Sequence, residues 1–229
     1  MEGSIAVRSL RDCALFRDAA DPALVQLVGR LRQRRFRRNE VIFHQGDPGD
    51  SLHIVDEGSV KIALPSPEGD EAIIATLRQG DFFGELALLD GAPRSATAVA
   101  LEPTTTLALP RDAFLELLDQ DRGLRDALLT GLAHELRRVT GHVEELHFLD
   151  LAGRLAMRLS RLARDADPSS DEVRLDWPYT QSDLASMIGG TRQSVNKLLS
   201  ELVNDGLVVL EPDTLVIPSV SALLRTASR

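Results

Sequence analysis

The sequence predicts an α+β chain: a β-roll (jelly roll) or barrel of short antiparallel strands, a long helix, and a small C-terminal module of two helices with a two-stranded wing. Three observations carry that expectation. Between Asn39 and Pro110, short apolar runs recur at a spacing of roughly 8–12 residues, separated by glycine, proline and aspartate. Further on, Leu132, Leu136, Val139, Val143 and Leu146 step by four, three, four and three, which is a heptad seam. Beyond the seam, two helix-forming stretches flank Gly189-Gly190.

Bulk composition excludes several classes. The 229 residues are 43% apolar and 27% charged, enough for one large domain or two modest ones with real cores. A single cysteine, Cys13, permits neither an intrachain disulfide nor a cysteine cluster for metal. The opening MEGSIAVRSLRDCALF lacks an apolar h-region, and no run reaches the ~18 apolar residues of a membrane span. A cytoplasmic chain with no membrane partner is expected. Net charge is −9, but residues 151–229 hold nine Lys/Arg against ten Asp/Glu. A near-neutral terminal module can still present a basic face.

In chain order, Asp21 to Leu31 reads as a short helix with Leu24, Leu27, Val28 and Leu31 on one face. RLRQRRFRR, Arg30 to Arg38, packs six arginines into nine residues, either a phosphate or partner site or, as favoured, a solvated edge leading into the sheet. EVIFHQGDPGDSLHIVDEGSVKIALPSPEGDEAIIATL gives strand, turn, strand, turn, strand, with GDPGD, DEG and PSPEGDE as turns. ATAVALEPTTTLALP adds two strands. From Arg111 the chain is helical, and Leu124 and Leu128 extend the seam upstream. That seam either packs on the barrel or joins two copies; its polar flanks Arg137, Arg138, Glu144 and Glu145 favour the dimer. A helix over Leu151–Ala163 follows, then DADPSSDE as a turn or hairpin tip. Thr180 and Asp183 resemble a capping box. Leu184, Ala185 and Ile188 line one helix and Val195, Leu198, Leu199 and Leu202 the next, a helix-turn-helix with VVLEPDTLVIP as its wing.

FGELALLDGAPRSATAVA, Phe83 to Ala100, places one arginine in an apolar run. Gly84 admits close backbone approach. The short helix GELALL turns its first N–H groups toward an anion. Arg94 offers a planar, permanently charged fork for a phosphate diester, and Ser95 adds a hydroxyl. Glu85, acceptor-only when ionised, suits a ribose hydroxyl. Together they describe a cyclic nucleotide site; an internal Glu85–Arg94 salt bridge is the plain alternative.

FGELALLDGAPRSATA closely resembles the phosphate-binding cassette of cyclic-nucleotide-binding domains, including those of cyclic-AMP-dependent kinase regulatory subunits. With the helix-turn-helix, nearly the whole chain resembles a bacterial transcription factor of the catabolite activator (CRP/FNR) family. The resemblance implies a sensor over 1–150, with a dimerisation helix at about 112–149, and a winged helix-turn-helix over 151–229. It implies cyclic AMP or another cyclic nucleotide as allosteric ligand, a homodimer, a two-fold symmetric double-stranded DNA site, and RNA polymerase as partner. Gly84 and Glu85 would hold the ribose, Arg94 and Ser95 the phosphate, Ile74 would wall the nucleotide, and Leu86 would belong to the same site. The adenine-gripping pair of the family falls on Val139 and Thr140; Val139 departs from the family's polar residue and weakens adenine selectivity.

Thr191 opens the second helix, and Arg192, Gln193, Asn196 and Lys197 lie where base edges would be met in the major groove, a docking the resemblance implies. A solvated face is the alternative for Arg192 and Lys197. His134, His142 and His147 show no metal-binding spacing, so no metal is expected. No nucleophile–base pair points to an enzyme. Two rivals remain: a factor binding DNA with an orphan sensor, and a cyclic-nucleotide-binding regulatory subunit of an enzyme.

Overall fold

The computed structural model describes residues 10–13, 15–16, 24, 27–66 and 70–227. Two compact units divide the chain at residues 137 and 138.

In the first unit the strands are β1 (Arg32–Phe36), β2 (Val41–Phe43), β3 (Ser51–Glu57), β4 (Val60–Pro65), β5 (Glu71–Leu77), β6 (Phe82–Phe83), β7 (Thr97–Ala100) and β8 (Thr104–Pro110). They form two four-stranded sheets, ordered β1-β8-β3-β6 and β2-β7-β4-β5, with antiparallel pairing throughout. The non-consecutive neighbours are the crossovers of a β-roll. Strand β3 shows why it sits centrally: side chains alternate between faces, and both faces are apolar. Leu52 and Ile54 pack with Leu107 and Leu109 of β8, and with Phe114 and Leu118. Val55 joins Val60, Phe83 and Ala98 in a second cluster. His53 shares Val55's face of the strand and is buried there.

Three helices follow in chain order: α1 (Leu86–Asp90) and α2 (Arg111–Gln120) in the first unit, and α3 (Arg122–Phe148), whose residues up to Arg137 belong to the first unit and the rest to the second. The single helix expected near 112–149 is therefore broken. Asp121 is extended, and its Oδ1 accepts from the Leu124 N–H at 3.1 Å, starting a new helix as its cap. Leu124 and Leu128 also depart from the seam reading, because both are buried in the cluster with Leu52 and Phe114. Leu136, Val139, Val143 and Leu146 are exposed, 69% in the case of Leu136. Of the helix expected over 21–31, residues 21–23, 25 and 26 lie outside the described residues, as do 67–69 of the PSPEGDE turn; Leu24 and Leu27 are buried. The arginine run becomes β1, a sheet edge paired with β8, its arginines exposed.

The second unit contains α4 (Leu151–Ala166), β9 (Val173–Asp176), α5 (Gln181–Ile188), α6 (Arg192–Asn204), β10 (Val209–Glu211), β11 (Thr214–Ile217) and α7 (Val220–Ala227). Asp150 caps α4 by accepting from the Gly153 N–H. That helix outruns the expected end at Ala163 by three residues. The wing pairs as expected, and β9 adds a third strand directly after the turn expected over DADPSSDE, on residues for which the sequence suggested no element. Val173 and Leu175 are its buried positions, a period-two signal short enough to escape notice.

Candidate functional site

The cassette is assembled from four segments of the first unit. Arg94 precedes β7, and its backbone is clamped to the loop before β3: its N–H donates to Asp47 O at 2.8 Å and its carbonyl accepts from Gly46 N at 2.9 Å. Its guanidinium is nearly enclosed, with 2% of the side chain exposed. Nη1 donates to Gly84 O at 2.7 Å and Nη2 to Ser51 O at 2.8 Å. The guanidinium carbon lies 4.2 Å from the centroid of the Phe43 ring, a cation–π contact. Nε is buried with no hydrogen-bond partner among the described residues. Two backbone carbonyls thus fix the fork while leaving the Nε–H donor unspent, and a buried unspent donor is costly unless a ligand uses it.

Gly84 is required for this arrangement. Its φ is +84°, and a Cβ there would stand 2.5 Å from Arg94 Nη1. Glu85 follows at the start of α1, with its carbonyl accepting from Leu88 and Leu89 and its side chain capping nothing. Burial holds the Glu85 carboxyl above its ordinary pKa, and the charge of Glu135 adds to the rise. Gly131, one turn before Glu135 on α3, faces the Phe82 ring, which explains how that helix comes near the cassette. The alternative of a Glu85–Arg94 salt bridge is not what forms: the carboxylate paired with Arg94 is Asp50, Oδ1 to Nη2 at 3.5 Å. Leu86 is 44% exposed, Ser95 exposed and Ile74 half-buried on β5. Val139 and Thr140 lie on α3, both exposed.

One partner set was not legible as a site. His53 is buried, stacked on Phe83 with ring centroids 5.2 Å apart, and bonded to Ser51 and Thr106. Burial, and then the charge of Arg94, pull its pKa down to about 4. A histidine in an apolar strand gives no local hint of these neighbours, since Thr106 is 53 residues away in sequence.

In the second unit the helix-turn-helix is built as read. Thr180 and Asp183 form a full capping box on α5. Gly189 ends α5 in the left-handed region at φ +66°. A Cβ on Gly190 would meet Leu151 Cδ1 at 2.8 Å, so the turn packs closely on α4. Arg154 Nη1 reaches across to Ile188 O at 2.7 Å and satisfies the end of α5. Thr191 caps α6 by accepting from the Ser194 N–H. Val195 and Leu199 are buried, which turns Arg192, Gln193, Asn196 and Lys197 outward. Gln181 Nε2 donates to Asn196 Oδ1 at 2.7 Å, leaving the Asn196 amide hydrogens for an outside partner. Lys197 Nζ stands 3.9 Å from Glu201, one turn along. Among the described residues, Arg192 and Gln193 make no side-chain hydrogen bond or ion pair and are exposed.

Comparison with known proteins matches the two units to two families. Residues 33–121 match the cyclic nucleotide-binding domain, and residues 153–226 the Crp-like helix-turn-helix domain. A CRP-like cAMP-activated global transcriptional regulator of Mycobacterium tuberculosis is 31% identical over 219 residues, covering 95% of this chain and 98% of its own length. The chain belongs to the CRP/FNR family of transcription regulators. The cAMP-activated global transcriptional regulator Vfr of Pseudomonas aeruginosa is 31% identical over 198 residues, covering 85% of this chain and 92% of Vfr. A solved CRP-family regulator from Thermus thermophilus superposes with a TM-score of 0.70 at 26% identity, over 86% of this chain and 97% of that one. This CRP/FNR member is accordingly a DNA-binding transcription regulator with a cyclic nucleotide-binding domain. Both of these curated relatives are transcription regulators. Among the described residues no group of three His, Cys, Asp or Glu could hold a metal ion, and no helix is long and apolar enough to cross a membrane.

Proposed function

We propose that this regulator is a homodimer whose DNA affinity is set by a cyclic nucleotide, cyclic AMP first among them, held by Gly84, Glu85, Leu86, Arg94 and Ser95. The single observation that carries the reading is the buried guanidinium of Arg94 with its unpartnered Nε. Glu85 complements it as an acceptor for a ribose hydroxyl, and its raised pKa is relieved when a donor arrives. The sensor occupies 1–150 and the DNA-binding module 151–229. Exposed Leu136, Val139, Val143 and Leu146 supply the seam for a second copy. Arg192, Gln193, Asn196 and Lys197 read a two-fold symmetric duplex, RNA polymerase being the partner of the bound dimer. With Val139 apolar, the base is gripped through Thr140, and discrimination between cyclic AMP and cyclic GMP is weak.

Calorimetry with cyclic AMP on wild type and Arg94→Leu tests this. A charge-assisted contact is worth about 1.5–3 kcal/mol, so the variant should lose at least tenfold in affinity. Equal affinities would return Arg94 to a purely structural role and leave an orphan sensor.

A further inference from the structure

Asp50 is an exposed carboxylate beside a buried cation. Its side chain is 87% exposed, and an ion pair with so exposed a partner holds its carboxylate only weakly. Three buried or half-buried side chains give it further support. Ser51 Oγ donates to Asp50 Oδ1 at 2.8 Å. Because that hydrogen is committed, Ser51 Oγ can only accept from His53 Nε2, 3.2 Å away. His53 Nε2 therefore carries the ring proton, and Nδ1 accepts from the Thr106 hydroxyl at 3.1 Å. The tautomer follows from the network. Hydrogens point one way along the whole chain, from Thr106 through His53 and Ser51 to Asp50, whose Oδ1 faces Arg94 Nη2. The imidazole is neutral in this role, as its burial against Phe83 requires.

We propose that Asp50 is a resident counter-ion of Arg94, posted there by the Thr106–His53–Ser51 relay, which an incoming anion must displace. The inference rests on the reading of Arg94 as the phosphate-binding cation. Two features separate the counter-ion from the cation's own anchoring. The guanidinium is held by the Gly84 and Ser51 carbonyls, neither of which belongs to the relay's side chains. Asp50 is free to swing into solvent once the Ser51 hydroxyl lets go. A phosphate diester offers Arg94 the same charge and also brings a ribose hydroxyl to Glu85, so it outcompetes the carboxylate where a simple monoanion does not.

The test is a direction of effect that structural damage cannot imitate. Cyclic AMP is titrated calorimetrically into full-length wild type, Asp50→Asn, Ser51→Ala and His53→Phe, the last keeping a ring on Phe83 without its N–H. Each variant should bind tighter, by roughly fivefold if the pair is worth about as much as a surface ion pair. The double variant Asp50→Asn/His53→Phe should bind no tighter than Asp50→Asn alone. Asp50 is exposed and Ser51 half-buried, so their variants remain informative if His53→Phe fails to fold. Weaker or unchanged binding by Asp50→Asn, or an additive double variant, overturns the proposal. A second arm uses no ligand: ¹⁵N spectra should show neutral His53 protonated at Nε2, and Asp50→Asn and Ser51→Ala should shift the Arg94 guanidinium resonances alike. If wild type binds no cyclic AMP but these signals appear, the nucleotide reading fails and the relay stands. An Nδ1-protonated ring, or an unmoved Arg94 signal, overturns the relay whatever the calorimetry gives.

Discussion

Arg94 announced itself in the sequence because a lone cation in an apolar run demands a reason, and Gly84 and Glu85 stood at the spacing that supplies one. Nothing local marked Asp50, Ser51, His53 and Thr106 in that way. Their partnership exists only because β3 lies between β6 and β8, a neighbourhood set by sheet topology. The buried His53 carries its own consequence for stability. Its pKa falls from the ordinary 6.5 to about 4 on folding. Between those values the unfolded chain takes up a proton that the folded one refuses, so stability is whole above pH 6.5 and is lost as pH falls toward 4. The loss is on the order of 3 kcal/mol. Scanning calorimetry of wild type and His53→Phe should show a fall in Tm across that range that is clearly shallower in the variant. Parallel curves would mean that His53 is not held neutral.

At the scale of elements, the sequence carried strong periodicities and lost weak ones. The helix-turn-helix, its capping box and its wing were legible because Thr180, Asp183 and Gly189-Gly190 are residue choices with few other uses. The four residues of β9 and the eight of α7 carry too short a pattern to stand out. The seam shows the opposite failure: the spacing that links Leu128 to Leu132 is helical, but only tertiary structure says that Leu124 and Leu128 are spent on the core of the first unit. Where the seam is exposed it should hold the dimer. Leu136→Glu with Val143→Glu puts charge into it, and sedimentation velocity should report a monomer that keeps its cyclic AMP site. An unchanged dimer would place the interface elsewhere. On α6, exposed Gln193 both donates and accepts, and pairs most naturally with adenine N6 and N7, whereas glutamate accepts from cytosine N4. Selection from random DNA with wild type and Gln193→Glu should differ at one base step in each half-site, at about 1–3 kcal/mol per contact. Identical preferences would show that Gln193 does not read a base.

At the scale of the whole molecule, the proposed regulation requires a chemical site in one unit to control a reading surface in the other. Such coupling needs two global states that the ligand binds unequally, and about 1–3 kcal/mol of difference changes DNA affinity roughly 5- to 150-fold. The sequence made both ends of this linkage legible, since each rests on a local motif. It left the linkage itself out of view, because coupling belongs to an equilibrium and to no single stretch of residues. The most direct measurement is fluorescence anisotropy with a duplex recovered by selection from random DNA, titrated with wild type and with Arg94→Leu, each with and without saturating cyclic AMP. Cyclic AMP should tighten wild-type binding at least fivefold and leave Arg94→Leu at the wild type's ligand-free affinity. Equal wild-type affinity with and without cyclic AMP, and with every other cyclic nucleotide tried, would contradict the proposed regulation.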